Sequence, residues 1–477
     1  MECFAIDAKD ITGRIDAYFY QRKFSVLENA LNKISYKKYT LGDLIVDISG
    51  GATPKVEENY YADKNTGVPF LRVQNISDEG LILDDVKYIS KDVHNTMLKR
   101  SQLKKDDLVF TITGRIGSVA VIPEGFEGNI NQHSVRFHLK DKIEGQEILP
   151  HYIASYLNSN IGILLSNRGI TGGTRPALDY EYIKTIQIPL PDLSLQNQVV
   201  EIMQSAYSQK KQKEQEAEKL LASIDDYVLE ELGIKLPELK ERLCFVALSD
   251  EVKGNRLDPK KYSERPKAIL KAIKKSKFSS TELSKLIVDN ISGDWGEENQ
   301  QNGYILCKVL RNTNFDNRLN LNFDDVAERY VPEEKFKKIK LQNGDILIEK
   351  SGGSPIQPVG RVALIENIKG SYVFSNFLQC FRINNEKCLP AYLFSYLRAI
   401  YSLNYMEYLQ NQTTGIKNLI MEEYLSIPVI LPSLEIQQKI ADEVRKRMQE
   451  AQGLRTEANR LVEEAKRKVE DLILGKA

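Results

Sequence analysis

The sequence predicts an α+β protein built twice: two mixed α/β units, each followed by a long α-helix, with the two helices packed as an antiparallel coiled coil. Three observations predict it. The 477-residue chain repeats itself at a nearly constant offset. Each repeat carries short Val-, Ile- and Phe-rich runs bounded by Gly, Asn and Asp, the mark of strands joined by polar loops. Each repeat then closes on a proline-punctuated apolar run, IPLPDLSLQ at Ile188 and IPVILPSLEIQQ at Ile427, that leads into a long polar helix.

The repeat begins at the N-terminal end. Arg14, Asp16 and Tyr20 return as Arg256, Asp258 and Tyr262, a shift of 242 (256 − 14). LIVD at Leu44 returns at Leu286; LPHYIASYL at Leu149 returns as LPAYLFSYL at Leu389, a shift of 240. Thr171, Gly173, Glu181 and Tyr182 align with Thr413, Gly415, Glu423 and Tyr424 at 242, and Pro191, Leu193 and Gln196 with Pro432, Leu434 and Gln437 at 241. A period this long is a duplicated domain and not a solenoid. It sets four segments: 1–191 and 241–431 as the mixed units, 192–240 and 432–477 as the long helices with their linker.

Strands are expected at VPFLRVQNI, DDLVFTITG, SVAVIPEG and SVRFHLK in copy one, and at YILCKVL, GDILIEKSGG, GRVALIENI and FLQCFRI in copy two. LPHYIASYLNSNIGILLSN and LPAYLFSYLRAIYSLNYMEYL read as helices opened by Pro. Residues 195–232 hold neither Pro nor Gly, enough for roughly 57 Å of helix at about 1.5 Å per residue. Leu195, Val199, Ile202 and Ala206 form one apolar stripe; after the polar SQKKQKEQE it resumes at Ala217, Leu220, Ile224 and Tyr227. In the second helix Ala451, Leu454, Ala458, Leu461 and Ala465 step 3, 4, 3, 4 as heptad core positions do. So narrow a stripe needs a partner, and each helix is the other's match in length. Antiparallel pairing would suit a target with two half-sites, such as duplex DNA.

Composition narrows the function. Forty-two per cent hydrophobic and 28% charged is ordinary globular usage. No apolar run reaches the ~18 residues of a membrane span, and MECFAIDAKD lacks the charge and apolar core of a secretory signal; a cytoplasmic protein with no membrane partner is expected. Five cysteines without a CxxC pair suggest reduced thiols. All four histidines, His94, His133, His138 and His151, lie in copy one, which rules out a duplicated site built on His. There is no GxxxxGK[ST] phosphate loop, and no [DN]PP[YF] or FxGxG methyltransferase signature. The ExK triplets at Glu238 and Glu464 lie in or beside helical regions, and GRIGS at Gly114 and SGGS at Ser351 read as strand-connecting turns.

What remains is polar loop chemistry suited to bases. Copy one offers Arg72, Gln74, Asn75, Thr113, Arg115, Gln132, His133, Thr174 and Arg175. Copy two offers Lys308, Arg311, Asn312, Lys350, Ser351, Gln357, Arg361 and Lys417. Arg reads guanine, and Asn or Gln adenine, in the major groove. Arg175 and Lys417 fall 242 apart, each just after a Thr/Gly turn; the fork of Arg175 suits a base and the point charge of Lys417 a phosphate. Residues 1–190 hold 23 Lys and Arg against 24 Asp and Glu, and residues 251–430 hold 26 against 21. Non-specific DNA binding should be weak, with partners supplying much of the phosphate grip.

RIDAYFY, LGDLIVDISGG, GRIGSVAVIP, TGIKN, and the IPLPDLSLQ and ILPSLEIQQKI junctions closely resemble the specificity subunit of Type I restriction-modification systems. The resemblance spans essentially the whole chain. It implies two target recognition domains, each reading one half of a bipartite double-stranded DNA site, and paired helices that bind two modification (methyltransferase) subunits. S-adenosylmethionine would sit on those subunits, ATP and Mg on restriction subunits that join them, and no cofactor on this chain, which would be non-catalytic. Copy one departs from the pattern with TGGTRPALDY where copy two has TGIKNL. A DNA methyltransferase or nuclease with unrecognised motifs, and a two-headed protein scaffold, stay open as alternatives.

Overall fold

The computed structural model describes residues 11, 14–55, 60–238, 244–247, 258–316, 321–352, 357–413 and 415–476. Cys3, Arg256 and the end of the SGGS segment lie outside them. The chain forms two compact units, residues 1–214 with 455–477, and residues 215–454. These cut across the four expected segments, because each unit takes one half of each long helix.

Both units follow one plan. A 3-10 turn, Ala17–Tyr20 or Pro259–Tyr262, is capped by the side chain of Asp16 or Asp258, which accepts a backbone N–H of its first turn. An amphipathic helix follows, Arg22–Asn32 or Glu264–Lys274. The central sheet has four antiparallel strands in the order 45–50, 134–139, 108–111, 119–121, matched by 287–292, 378–383, 346–349, 362–364. Beside it, Val68–Leu71 pairs antiparallel with Lys87–Ile89 and parallel with Asn129–Ile130; Tyr304–Leu310 does the same with Ala327–Pro332 and Tyr372–Phe374. All eight expected strand runs form strands. The helical run after Leu149 does not stay whole in copy one. It breaks into Pro150–Leu157 and Asn160–Arg168, with Ser159 accepting from the Gly162 N–H; copy two runs over Pro390–Ser402 and also stops short of Leu409, giving way to left-handed Asn404 and the 3-10 turn Tyr405–Tyr408.

Paired tyrosines explain the repeated YxxxY. Tyr152 and Tyr156 lie one turn apart on a buried helix face and donate to the carbonyls of Pro189 and Gln187, at 2.6 and 2.8 Å. Tyr392 and Tyr396 donate in the same way to Ile430 and Pro428. Each apolar ring fills the core while its hydroxyl satisfies a strand carbonyl. Burial raises the pKa of all four hydroxyls, so they donate throughout the ordinary pH range.

The glutamine of each helix junction is a second tie. Gln196 is buried; it accepts from the Leu149 N–H at 3.0 Å and donates to Glu147 O and Pro191 O, both at 2.9 Å. Gln437 accepts from Leu389 N–H at 2.9 Å and donates to Lys387 O and Pro432 O. One side chain thereby fixes the long helix to the loop ahead of the tyrosine helix.

The first long helix spans Leu193–Glu231 and the second Leu434–Ile473. In the first unit Val199, Met203 and Ala206 share a core with Val462, Ala465, Val469 and Ile473. In the second, Ala217, Leu221, Ile224, Val228 and Leu232 share one with Ile440, Val444 and Ala451. Early residues of one helix thus meet late residues of the other, which is antiparallel packing. In the polar SQKKQKEQE stretch Lys210 and Lys213 are half-buried, and their ammonium groups pair with Glu79 and, on the second helix, Glu457. The expected seam of the second helix needs a correction: Leu454 and Leu461 are only partly buried, while Ala458, Val462, Ala465 and Val469 carry the contact. A 3.6-residue turn drifts off a strict 3, 4 alternation, so the stripe moves from Leu461 to Val462. Among the described residues no helix is long and apolar enough to cross a membrane.

Candidate nucleic-acid interface

The candidates divide by what already holds them. In RVQN, Asn75 is buried; its side-chain oxygen accepts from the Arg72 N–H and its amide donates to the carbonyls of Ile82 and Asp85. Arg72 and Gln74 both bind the Asp85 carboxylate, at 3.0 and 2.8 Å. RNTN repeats this: Asn314 takes the role of Asn75, and Arg311 binds Asp325 at 3.2 Å. Asn75 is therefore a turn lock and not an exposed base reader. Asn312, expected beside Arg311, donates to Ser351 O at 3.4 Å. Sequence reasoning passed over Asn314, although its RxxN spacing repeats that of Asn75.

Arg361 is corrected more strongly. It is buried, forks onto both oxygens of Glu349 at 2.8 Å, and donates to the carbonyls of Phe315 and Asn312. Burial opposes its charge, but the Glu349 hydrogen bond and charge outweigh it and raise its pKa. A guanidinium so engaged has no free edge for guanine. Lys417 is also buried and donates to the Gln357 carbonyl at 3.0 Å, which makes Gln357 its holder; the expected phosphate contact is not available to it in this arrangement.

The pairing of Arg175 with Lys417 fails on register. Leu178 N–H donates to Ile112 O, and Leu419 N–H donates to Lys350 O. Thr113 bridges to Ala177, and Ser351 pairs with Asn418. Copy two has one residue more in this turn, so Lys417 stands where copy one has Pro176, and Arg175 stands opposite Ile416. The same hydrogen bonds place Thr171 against Asn411, and Tyr182 against Glu423.

Other candidates stay accessible. Thr174 and Arg175 are exposed, and Arg175 forms no ion pair among the described residues; the nearby Asp179 instead caps the helix Tyr180–Thr185. Thr113, His133 and Gln132 form a chain, with Thr113 Oγ1 2.7 Å from His133 Nδ1 and Gln132 Nε2 3.2 Å from His133 Nε2. Arg115 is exposed and lies 3.6 Å from Asp78. Burial would raise the pKa of Asp78, but Lys466 at 2.8 Å, with help from Arg115, holds it below the usual carboxylate value. That contact also accounts for the lysine of the Glu464 ExK triplet. In copy two Lys308 is exposed over the Tyr372 ring, 5.6 Å from its centroid, and Ser351 donates to the side chain of Asn418. Lys350 lies 3.5 Å from Ser292 Oγ and 3.4 Å from Gln379 Oε1. Sequence reasoning also missed Trp295, which carries the guanidinium groups of Arg329 and Arg311 at 4.7 and 5.7 Å; a lone Trp gives no pattern to find it by.

No group of metal-ligating side chains occurs among the described residues. Cys307, Cys380 and Cys388 are free buried thiols, and burial pushes that of Cys307 up to about 11.

The family model described as the Type I restriction modification DNA specificity domain matches residues 33–222 and 287–450. The Type I restriction enzyme EcoBI specificity subunit of Escherichia coli is 25% identical over 167 residues; the match spans 34% of this chain and 34% of that protein. A solved structure described under complex assembly and conformational transition of the type I R-M system aligns over 93% of this chain and 98% of its own, at 15% identity and a TM-score of 0.50, a likeness of fold. The HsdS subunit from Thermoanaerobacter tengcongensis aligns over 93% and 98% at 14% identity with a TM-score of 0.36.

Proposed function

Because the chain belongs to the Type I restriction modification DNA specificity family, we propose that it is the DNA-reading, non-catalytic subunit of a Type I restriction-modification complex in the cytoplasm. Each mixed unit reads one half of a bipartite duplex site. The paired long helices seat two modification subunits, which carry S-adenosylmethionine, and restriction subunits that use ATP and Mg join them. The observation that carries this reading is a frame kept twice with accessible groups that differ: Gln132, His133 and Arg175 in the first copy, Lys308, Lys350 and Ser351 in the second. Two copies of one frame with different outward chemistry suit two different half-sites. Neither unit is strongly basic, so phosphate neutralisation falls largely to the partners.

The test is an exchange. Residues 20–190 are replaced by the same region of a relative, the complex is reconstituted with its modification subunits, and the methylated motif is sequenced. One block of the motif should change while the other stays. A change in both blocks, or in neither, rejects one unit per half-site.

A further inference from the structure

Strand pairing aligns the two central sheets residue by residue. Gly50 pairs with Val135 and Ser292 with Gln379; Ile48 pairs with Phe137 and Asn290 with Phe381. Ile112 and Lys350 each follow the matching third strand and accept the matching N–H, from Leu178 and Leu419. In copy one these four places are Ile48, Gly50, Ile112 and Val135. Ile112 and Val135 are core residues with Ile48 packed on them, and Tyr180 closes the niche: a Cβ on Gly50 would lie 1.8 Å from its hydroxyl oxygen. In copy two they are Asn290, Ser292, Lys350 and Gln379, and Met421 stands where Tyr180 would.

Four apolar or empty places have thus become polar together. Gln379 is buried, and it accepts from Ser292 at 3.0 Å while donating to the Asn290 side-chain oxygen. Asn290 and Ser292 are exposed. Lys350 is half-buried over this group, and among the described residues it forms no ion pair; its contacts, to Ser292 and Gln379, are long and uncharged. Burial lowers its pKa. A partly desolvated ammonium without a counter-ion costs stability that a lysine swung into water would not. Keeping it there is explained by a ligand that brings the missing acceptors.

We infer that Lys350, Ser292, Gln379 and Asn290 form a subsite of the second unit for hydrogen-bond acceptors of duplex DNA, either phosphate oxygens or the N7/O6 edge of a purine. The inference rests on the DNA-specificity reading above and adds where the second unit makes contact. The first unit has no such subsite, because Tyr180 and the core fill that place.

The experiment uses the full chain reconstituted with its modification subunits. Lys350→Ile and Gln379→Val install the residues that the same frame already holds in copy one, so both variants should fold. Binding to the cognate duplex is measured over a salt series, with single-base variants across both half-sites. Lys350→Ile should weaken binding roughly tenfold, and Lys350→Arg should recover much of it. A uniform loss with a salt slope shallower by about one unit identifies phosphate. Relaxed preference at one position of one half-site identifies a purine edge. Wild-type affinity, slope and base preference in both Lys350→Ile and Gln379→Val would overturn the subsite. A wild-type complex that prefers no sequence would instead overturn the specificity reading, and the subsite with it.

Discussion

The two copies keep their frame and exchange what fills it. At one buried place copy one has Thr111 and Ser118, with the Ser118 N–H donating to Thr111 Oγ1 at 3.0 Å; copy two has Glu349 and Arg361 as a forked ion pair. Beside it, the buried aspartates Asp107 and Asp345 each accept from a backbone N–H three residues back, of Lys104 and Gln342. Asp107 is partnered by His138 at 2.9 Å and Asp345 by Arg382 at 3.1 Å. By contrast the tyrosine pairs and the junction glutamines are the same in both copies. The difference teaches which parts are architecture. Residues that satisfy backbone groups recur, since an unpaired buried carbonyl or N–H is costly whatever the unit reads. Thr111 with Ser118, and Glu349 with Arg361, hold different backbone groups in the two copies, the Ser118 N–H in one and the carbonyls of Phe315 and Asn312 in the other, and there the side chains change as a set.

The largest effect should come from breaking a set in one copy. Arg361→Ala leaves Glu349 buried and alone and should cost the second unit about 3–5 kcal/mol. Adding Glu349→Thr, copy one's residue, should recover much of that loss. Denaturant melts measure both; a single variant as stable as wild type would end the argument that the pair is a unit.

The junction glutamines should behave alike across copies. Gln196→Leu and Gln437→Leu each strand one buried N–H and leave carbonyls short, at about 2–3 kcal/mol apiece. Very unequal losses would mean the two joints are not the same device.

Next come the helices. Ile440→Val and Ile473→Val trim the seam once in each unit and should each cost about 1 kcal/mol. Leu461→Ala, off the seam, should stay within about 0.5 kcal/mol. If Leu461→Ala costs more than the seam variants, the register is misplaced.

The smallest effect is a pH dependence held by copy one. The folded pKa of Asp78 lies below its unfolded value of 3.8. Its contribution is therefore present above 3.8 and is lost as pH falls through the lower folded value. Asp78→Asn should flatten the acid limb of stability below about pH 4. An unchanged acid limb would remove Asp78 from the account.

By itself the sequence determined the duplication, the eight strand runs, the two long helices and their packing on each other. Each of these is written in local chemistry, as a repeated motif, a strand-forming run or an apolar stripe. It also marked Gln196 and Gln437 by their recurrence, though not their work. Tertiary structure decided which polar side chains are free. Asn75, Arg361 and Lys417 read as loop donors, yet each is spent on carbonyls or a carboxylate brought from 7 to 60 residues away. Only the strand hydrogen bonds decided register: one extra residue in a turn moved Arg175 off Lys417 and onto Ile416. Lys350 shows the same limit from the other side. Among the described residues it pairs with no carboxylate, and the polar group beneath it exists only once the sheet brings residues 290, 292 and 379 together beside Lys350 at the end of the third strand. Sequence fixes what a side chain can donate, and the fold fixes what is left within its reach to accept.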